Sequence, residues 1–529
     1  MISITQLSRH ALAKGVAAAA IVCAVAGTLP SSVEAQEILN VGAFGADANQ
    51  LNPFLSGGGQ DRALFAYVFN GLTRFPPGSM DPADIELDLA ESYESSDDGL
   101  TWTFVLRDGV QFHHGYGELT AADVVYSLNR ARNPETSGVA ANLAAVESVE
   151  ALDDKTVQIK LSSPVPTLLG MLADPQGGYI VSQKAAEELG DDIKATMVGT
   201  GPFQFDNYTP KQQSELSAHD DYFRGAPKIQ EIVYRYIPDE TARELAFASG
   251  EIDMFYGRRE QTWVDRMRAQ YPDEIEILIF APRQSRLLHL NRTKPPLDDI
   301  RVRQAIQHAI NRDEFQQLVG EDITTQLRSP VPSGFLGQTT DVPTYDYDPD
   351  KARALLAEAG YPDGVDIEVL NSKIASLRTP YELVMEQLRQ VGINADTEFV
   401  DHAAWHAQIR QDESGLIIYG GAPFPDADSF LTPFFLGSSA IGQPAAQTNF
   451  SHCDVADEEI NAARSELDPD KRNALWATAQ QKIMEDACSV PIFELLQVWG
   501  KRANLDLGYE LEGSLNLGPP ITENTEFKG

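Results

Sequence analysis

His402 and His406 stand four residues apart, next to Asp401. On a helix that spacing turns two imidazoles to one face, the first requirement of a metal site. No third ligand and no general base accompany them, so the pair reads as a solvated helix face. His113-His114 leads into Gly115 and reads as a polar turn. Gly57-Gly58-Gly59 lacks the following Gly or Lys of a phosphate cradle and reads as a flexible turn. The nucleophile elbow G-x-S-x-G, the phosphate loop G-x-x-x-x-G-K-S/T, the zinc helix H-E-x-x-H and the dinucleotide loop G-x-G-x-x-G are absent. With 78 acidic residues, neighbouring carboxylates arise by chance and mark no acid–base pair. The expectation is a protein that is not an enzyme and uses no cofactor and no metal. Cys453 and Cys488 are no zinc set, since only His452 accompanies them. They leave a disulfide or two buried thiols open, because spacing cannot supply the geometry.

The elements that would position these groups follow from periodicity. Residues 101–106 alternate as a strand, 107–109 turn, and 110–112 resume. Thr120 caps a predicted helix reaching about Arg132, and 155–161 form another strand. Asp298-Asp299 precedes a predicted helix over 300–319, with apolar residues at 302, 306, 310, 315 and 319. Asp348-Pro349 opens a helix that Gly360 ends. A strand over 365–370, a helix over 380–391, a strand over 393–400, a helix over 403–410 and a strand over 416–419 then alternate. That alternation is the mark of an α/β lobe. Ligands of such sheets lie beyond the carboxyl ends of the strands. The segment there, Tyr419-Gly-Gly-Ala-Pro-Phe-Pro-Asp-Ala-Asp428, is the predicted binding loop.

Composition narrows the class. The chain has 529 residues, 43 % of them hydrophobic and 22 % charged, and a net charge of −37. Nucleic acid and anionic membranes are poor partners for such a surface. Arg9 and Lys14 precede an apolar stretch over 15–29, and Val33-Glu-Ala35 has the small residues of a cleavage site. Residues 1–35 therefore read as a signal peptide cleaved after Ala35, with the rest exported to the periplasm. The apolar stretch is shorter than the roughly 20 residues that span a bilayer. Cys23 follows Val22 rather than a small residue, which argues against a lipid anchor.

Several segments together resemble the family 5 solute-binding proteins, the dipeptide, oligopeptide and nickel-binding group that serves ABC importers. They are Leu89-Ala-Glu-Ser-Tyr93, the run from Asp98 through Trp102 to His113, Leu119-Thr-Ala-Ala-Asp-Val-Val-Tyr-Ser-Leu128 and Gly199-Thr-Gly-Pro-Phe203. Pro296 to Ile306, Ala309-Ile-Asn-Arg312, Tyr347 to Pro362 and Gln387-Leu-Arg-Gln-Val-Gly-Ile393 follow in the family's order.

The resemblance implies an α/β, two-lobed periplasmic-binding-protein fold of the Venus flytrap kind, with a subdomain inserted in the first lobe. It maps lobe I to 36–80, 200–285 and 495–529, the insert to 81–199, and lobe II to 286–494. The implied function is a receptor, expected to be monomeric, that closes on a small-molecule ligand and delivers it to ABC transporter permease subunits in the inner membrane. The rivals are a secreted hydrolase, without its motifs here, and a periplasmic chaperone of the same fold. By position the resemblance brings Phe54, Tyr256, Arg258, Arg283, Gln284, Trp405, Tyr419, Gly421, Phe424, Asp426 and Asp428 to the cleft. Arg258 is the expected carboxylate clamp. Asp426 and Asp428 either meet a cationic group or cap the helix that starts near Ser429. Peptide-binding members carry an Asp for the ligand's amino group where this chain has Pro423, which cannot be a counter-ion. The nickel branch shares Gly421-Ala-Pro-Phe424, but its following Asp-Pro-His is Pro425-Asp-Ala-Asp428 here. The expected solute is a peptide-like or amino-acid-derived compound, and a metal chelate, an opine or an oligosaccharide stays open.

Overall fold

The computed structural model describes residues 38–529, apart from 49–50, 56–58, 176, 191–196, 396 and 422–423. The predicted signal peptide and Pro423 lie outside the described residues, as does the side chain of Arg283.

Among the described residues, one mixed sheet runs through most of the molecule. Its strands follow the order Phe203–Thr209, Gln213–Ala218, Glu231–Tyr236, Ile38–Ala43, Met254–Tyr256, Ser489–Arg502, Ile275–Leu290, Leu416–Tyr419, Val369–Ser372 and Thr397–Val400. Ile38–Ala43 is parallel to both of its neighbours. Val369–Ser372 is parallel to both of its own. Between these two parallel stretches lies the long antiparallel pair Ile275–Leu290 and Ser489–Arg502. Its ladder is broken between Phe280 and Gln284. This is an α/β protein of the two-lobed kind, and the sheet is continuous through it.

A separate antiparallel sheet, in the order Ala90–Ser95, Thr101–Leu106, Thr156–Leu161, Val146–Ala151, carries the expected alternation. Trp102, Phe104 and Leu106 point inward with Val157, Ile159 and Leu161. They share one core with Leu39, Val41 and Phe203. The helix Ala121–Ala131 packs on this sheet, started by a capping box in which the Asp123 carboxylate accepts from Thr120 N–H at 3.0 Å. A second core joins Leu288, Ile306 and Leu416, and extends to Phe247, Trp263 and Met267. A third gathers Phe430, Trp476, Cys453 and Cys488.

Several predicted elements are corrected. The single helix over 300–319 is two helices, Ile300–Ala309 and Arg312–Val319. Ile310 turns extended, and the Asn311 side chain accepts from Asp313 N–H to start the second helix. The helix predicted from Pro380 begins at Ala375 and carries Pro380 inside it. The strands over 365–370 and 393–400 are each interrupted, giving Val365–Asp366, Val369–Ser372, Ile393–Asn394 and Thr397–Val400. No described helix is long and apolar enough to cross a membrane.

Cys453 and Cys488 are bonded, with Cα atoms 5.8 Å apart across a separation of 35 residues. Closing a loop of that length should stabilise the fold by about 3–4 kcal/mol through the unfolded chain. The Cys453→Ser/Cys488→Ser protein is therefore expected to lose that amount in urea unfolding, without loss of secondary structure.

Candidate functional site

The predicted binding loop is seated on the long central strand. Gly421 accepts from Ser285 N–H at 3.2 Å, and Gly421 N–H points at Ser285 Oγ, 3.4 Å away. A Cβ on Gly420 would lie 2.0 Å from the Ser285 carbonyl oxygen, so only glycine fits. The obstacle is backbone and cannot swing away. Gly420→Ala is expected to cost about 1–3 kcal/mol of stability in urea unfolding.

Around Ser285 lies a group of cations that sequence reasoning missed. Arg286 is buried, with 7 % of its surface exposed. Its Nη1 donates to Ser285 O at 3.1 Å and its Nη2 to Gln284 Oε1 at 3.4 Å. Its Nε has no partner. Arg259, half-buried, donates to the same Gln284 Oε1 at 2.7 Å, and to the carbonyls of Leu496 and Leu495 at 2.7 and 2.6 Å. The Tyr256 ring lies 4.5 Å from Phe44 and 5.8 Å edge-on from Trp499. Burial, and then the neighbouring Arg259, pull the Arg286 guanidinium down to about 10. Burial also lowers Arg259, against the opposing effect of Tyr256. Among the described residues, no carboxylate comes within ion-pair distance of either guanidinium. Two adjacent desolvated cations without a counter-ion cost several kcal/mol. Their hydrogen bonds to carbonyl and amide oxygens offset part of that cost, and an incoming anion would offset more.

The other expected residues divide. Arg258 is committed elsewhere: its Nε lies 2.9 Å from Glu240 and 3.3 Å from Glu244. Its neighbour Arg259 has no such carboxylate partner among the described residues and donates instead to Leu495, Leu496 and Gln284. Phe54 is 1 % exposed and sits in the first core beneath the Arg130 guanidinium. Trp405 is 1 % exposed and belongs to the second core, its Nε1 donating to Leu370 O. It stacks on Tyr419 at 5.9 Å, and Tyr419 leans on Phe450 at 5.2 Å. Asp426 is buried and accepts from Ser429 N–H at 2.8 Å, so it caps the helix Asp428–Phe435. Asp428 accepts from Thr432 Oγ1 and lies 3.7 Å from Arg464. Burial and then Asp428 push the Asp426 carboxyl up to about 7. Phe424 reaches across to the helix Leu168–Ala173, its ring over Gly170 and 5.9 Å from Phe75.

Residues 84–442 match the sequence pattern of the bacterial extracellular solute-binding proteins, family 5 Middle. The chain belongs to family 5 of these solute-binding proteins. Heme-binding protein A of Haemophilus influenzae is 30 % identical over 80 % of this chain and 81 % of its own length. The glutathione-binding protein GsiB of Escherichia coli (strain K12) is 29 % identical, over 85 % and 88 %. The solved structure of MoaA from A. tumefaciens R10, in complex with mannopinic acid, is 43 % identical with a TM-score of 0.82. It covers 94 % of this chain and 100 % of that one. As a family 5 protein, the chain is the substrate-binding component of an ABC import system. Its relatives are named for binding heme and glutathione, and MoaA is solved with mannopinic acid.

Proposed function

We propose that the protein captures an anionic amino-acid conjugate of the opine type and presents it to the permease of an ABC importer. The observation that carries this reading is the Arg259–Arg286 pair, two adjacent guanidiniums beside the binding loop that have no counter-ion among the described residues. A carboxylate-bearing solute supplies the missing charge, and bidentate pairing suits guanidinium and carboxylate. The likeness to MoaA points the same way, because mannopinic acid joins an amino acid to a sugar polyol. The capping role of Asp426 supports the same reading, since it leaves that acid less free for a peptide's amino group. We further propose that residues 1–35 are removed after export, that the remainder works in the periplasm as a monomer, and that it turns over no substrate. Lobe I then comprises 36–80, 200–285 and 495–529, the insert 81–199, and lobe II 286–494.

The test is thermal unfolding against a panel of mannopinic acid, glutamate, mannitol, di- and tripeptides, and nickel with histidine. A solute at 100 times its dissociation constant stabilises by about 2.7 kcal/mol. A shift with mannopinic acid and none with mannitol is the expected result. A shift only with free-amine peptides or only with neutral polyols would remove the anion from the proposal.

A further inference from the structure

The two histidines read from the sequence as a solvated helix face come together in the fold. His402 and His406 lie on the helix His402–Gln408, one turn apart. Their Nε2 atoms face each other at 3.2 Å. The surroundings fix both rings. His402 stacks on the buried Trp405 at 15° and 5.5 Å, and its Nδ1 lies 3.0 Å from Ser372 Oγ. That Oγ already accepts from Ile374 N–H at 3.2 Å. It remains free to accept from His402 Nδ1–H, which leaves the Nε2 lone pair directed toward the gap shared with His406. This is the usual orientation of a metal-binding histidine, held by a hydrogen bond on its far nitrogen. His406 stands edge-on to Tyr419 at 6.1 Å.

We propose that His402 and His406 form a bidentate site for a borderline divalent ion such as Zn2+, Ni2+ or Cu2+. Metal–nitrogen bonds of about 2.0–2.1 Å spanning a 3.2 Å gap give a nitrogen–metal–nitrogen angle of roughly 100°. That value lies between octahedral and tetrahedral geometry. Imidazole-only donors favour these ions over Mg2+ or Ca2+. Among the described residues, no set of three His, Cys, Asp or Glu side chains assembles. The remaining positions of the ion are therefore filled by water or by carboxylate and amine donors from solution. The site stands beside Tyr419, the residue that opens the binding loop, and goes beyond the proposed anion capture without depending on it.

The experiment is calorimetric titration of the metal-stripped, untagged protein with ZnCl2 and CuCl2, followed by Cu2+ electron paramagnetic resonance. The wild type is expected to take up one ion, with nitrogen hyperfine structure from two imidazoles. His402→Asn and His406→Asn should each weaken that uptake at least tenfold while leaving the circular dichroism unchanged. Trp405 stays in place in both variants, so loss of the fold is not expected. A wild type that takes up no ion overturns the proposal. So does uptake that survives in both variants, which would be adventitious binding elsewhere. Mannopinic acid titrated in chelator separates the two readings. Its binding there leaves the metal result to stand alone, and its failure strikes only the anion proposal.

Discussion

Arg286→Met is expected to lose roughly 30-fold to a few thousand-fold in affinity for the anionic solute, while the solute-free protein melts no lower than wild type. The two effects have opposite signs for one reason. In the solute-free protein Arg286 is buried with no carboxylate at ion-pair distance among the described residues, and its Nε makes no hydrogen bond to them. Replacing a buried charge by an apolar side chain of similar length is commonly neutral or stabilising. With solute bound, the same charge has its partner. Truncating one member of a buried, hydrogen-bonded charge pair costs about 2–5 kcal/mol, at 1.4 kcal/mol per tenfold in affinity. Titration calorimetry and a melting curve on the same preparation check both signs. A variant that binds as wild type and melts lower would make Arg286 a structural residue, and the anion site would have to lie elsewhere.

Gly170→Val is expected to weaken solute binding by roughly 5- to 150-fold, and Phe424→Ala in the same chain to restore most of it. A Cβ on Gly170 would meet the Phe424 ring at 2.2, 2.8 and 3.0 Å. Phe75 also packs against that ring, with centroids 5.9 Å apart. Overpacking of this kind costs about 1–3 kcal/mol. Gly170 lies in the helix Leu168–Ala173, far along the chain from the loop that carries Phe424, so on the lobe division proposed above the strain falls between the two lobes. Binding proteins of this kind close around their solutes, and whatever raises the energy of closure subtracts from affinity. Calorimetry on the two single variants and the double variant measures the coupling. Additive losses in the double variant would mean that the two residues do not meet when solute binds.

The sequence carried the frame of the molecule and the position of its loop, but not the charges that make the site. Residues 419–428 were legible because an apolar strand gives way at once to Gly and Pro, and loop and strand occupy those places. The capping alternative for Asp426 was legible because its position just before a helix needs no tertiary information. Arg258 and Arg259 could not be told apart. They are identical neighbours, and which one turns inward depends on Leu495 and Leu496, more than two hundred residues away. Arg286 left one faint signal, a cation inside the run Ser285-Arg-Leu-Leu-His-Leu290 of an otherwise buried strand. The helix break at Asn311 was hidden because the apolar period continues through it, while Gln387 supplies the long-range partner for Asn311 N–H.

The interruption in the long strand pair has a consequence for how the solute leaves. Between Phe280 and Gln284, three residues on one strand face Leu496 alone on the other. Their backbone groups turn outward: Ala281 N–H bonds Glu512, and Leu496 N–H bonds Ile323. The carbonyls of Leu495 and Leu496 are taken by Arg259, the same cation that faces the proposed anion. With the lobe division and anion site proposed above, the angle between the lobes and the occupancy of the site share one guanidinium, and linkage makes their coupling reciprocal. If the solute biases the angle, then holding the angle at another value weakens the solute by the same free energy. A transporter that grips only the outer faces of both lobes can therefore discharge the cargo without ever touching it.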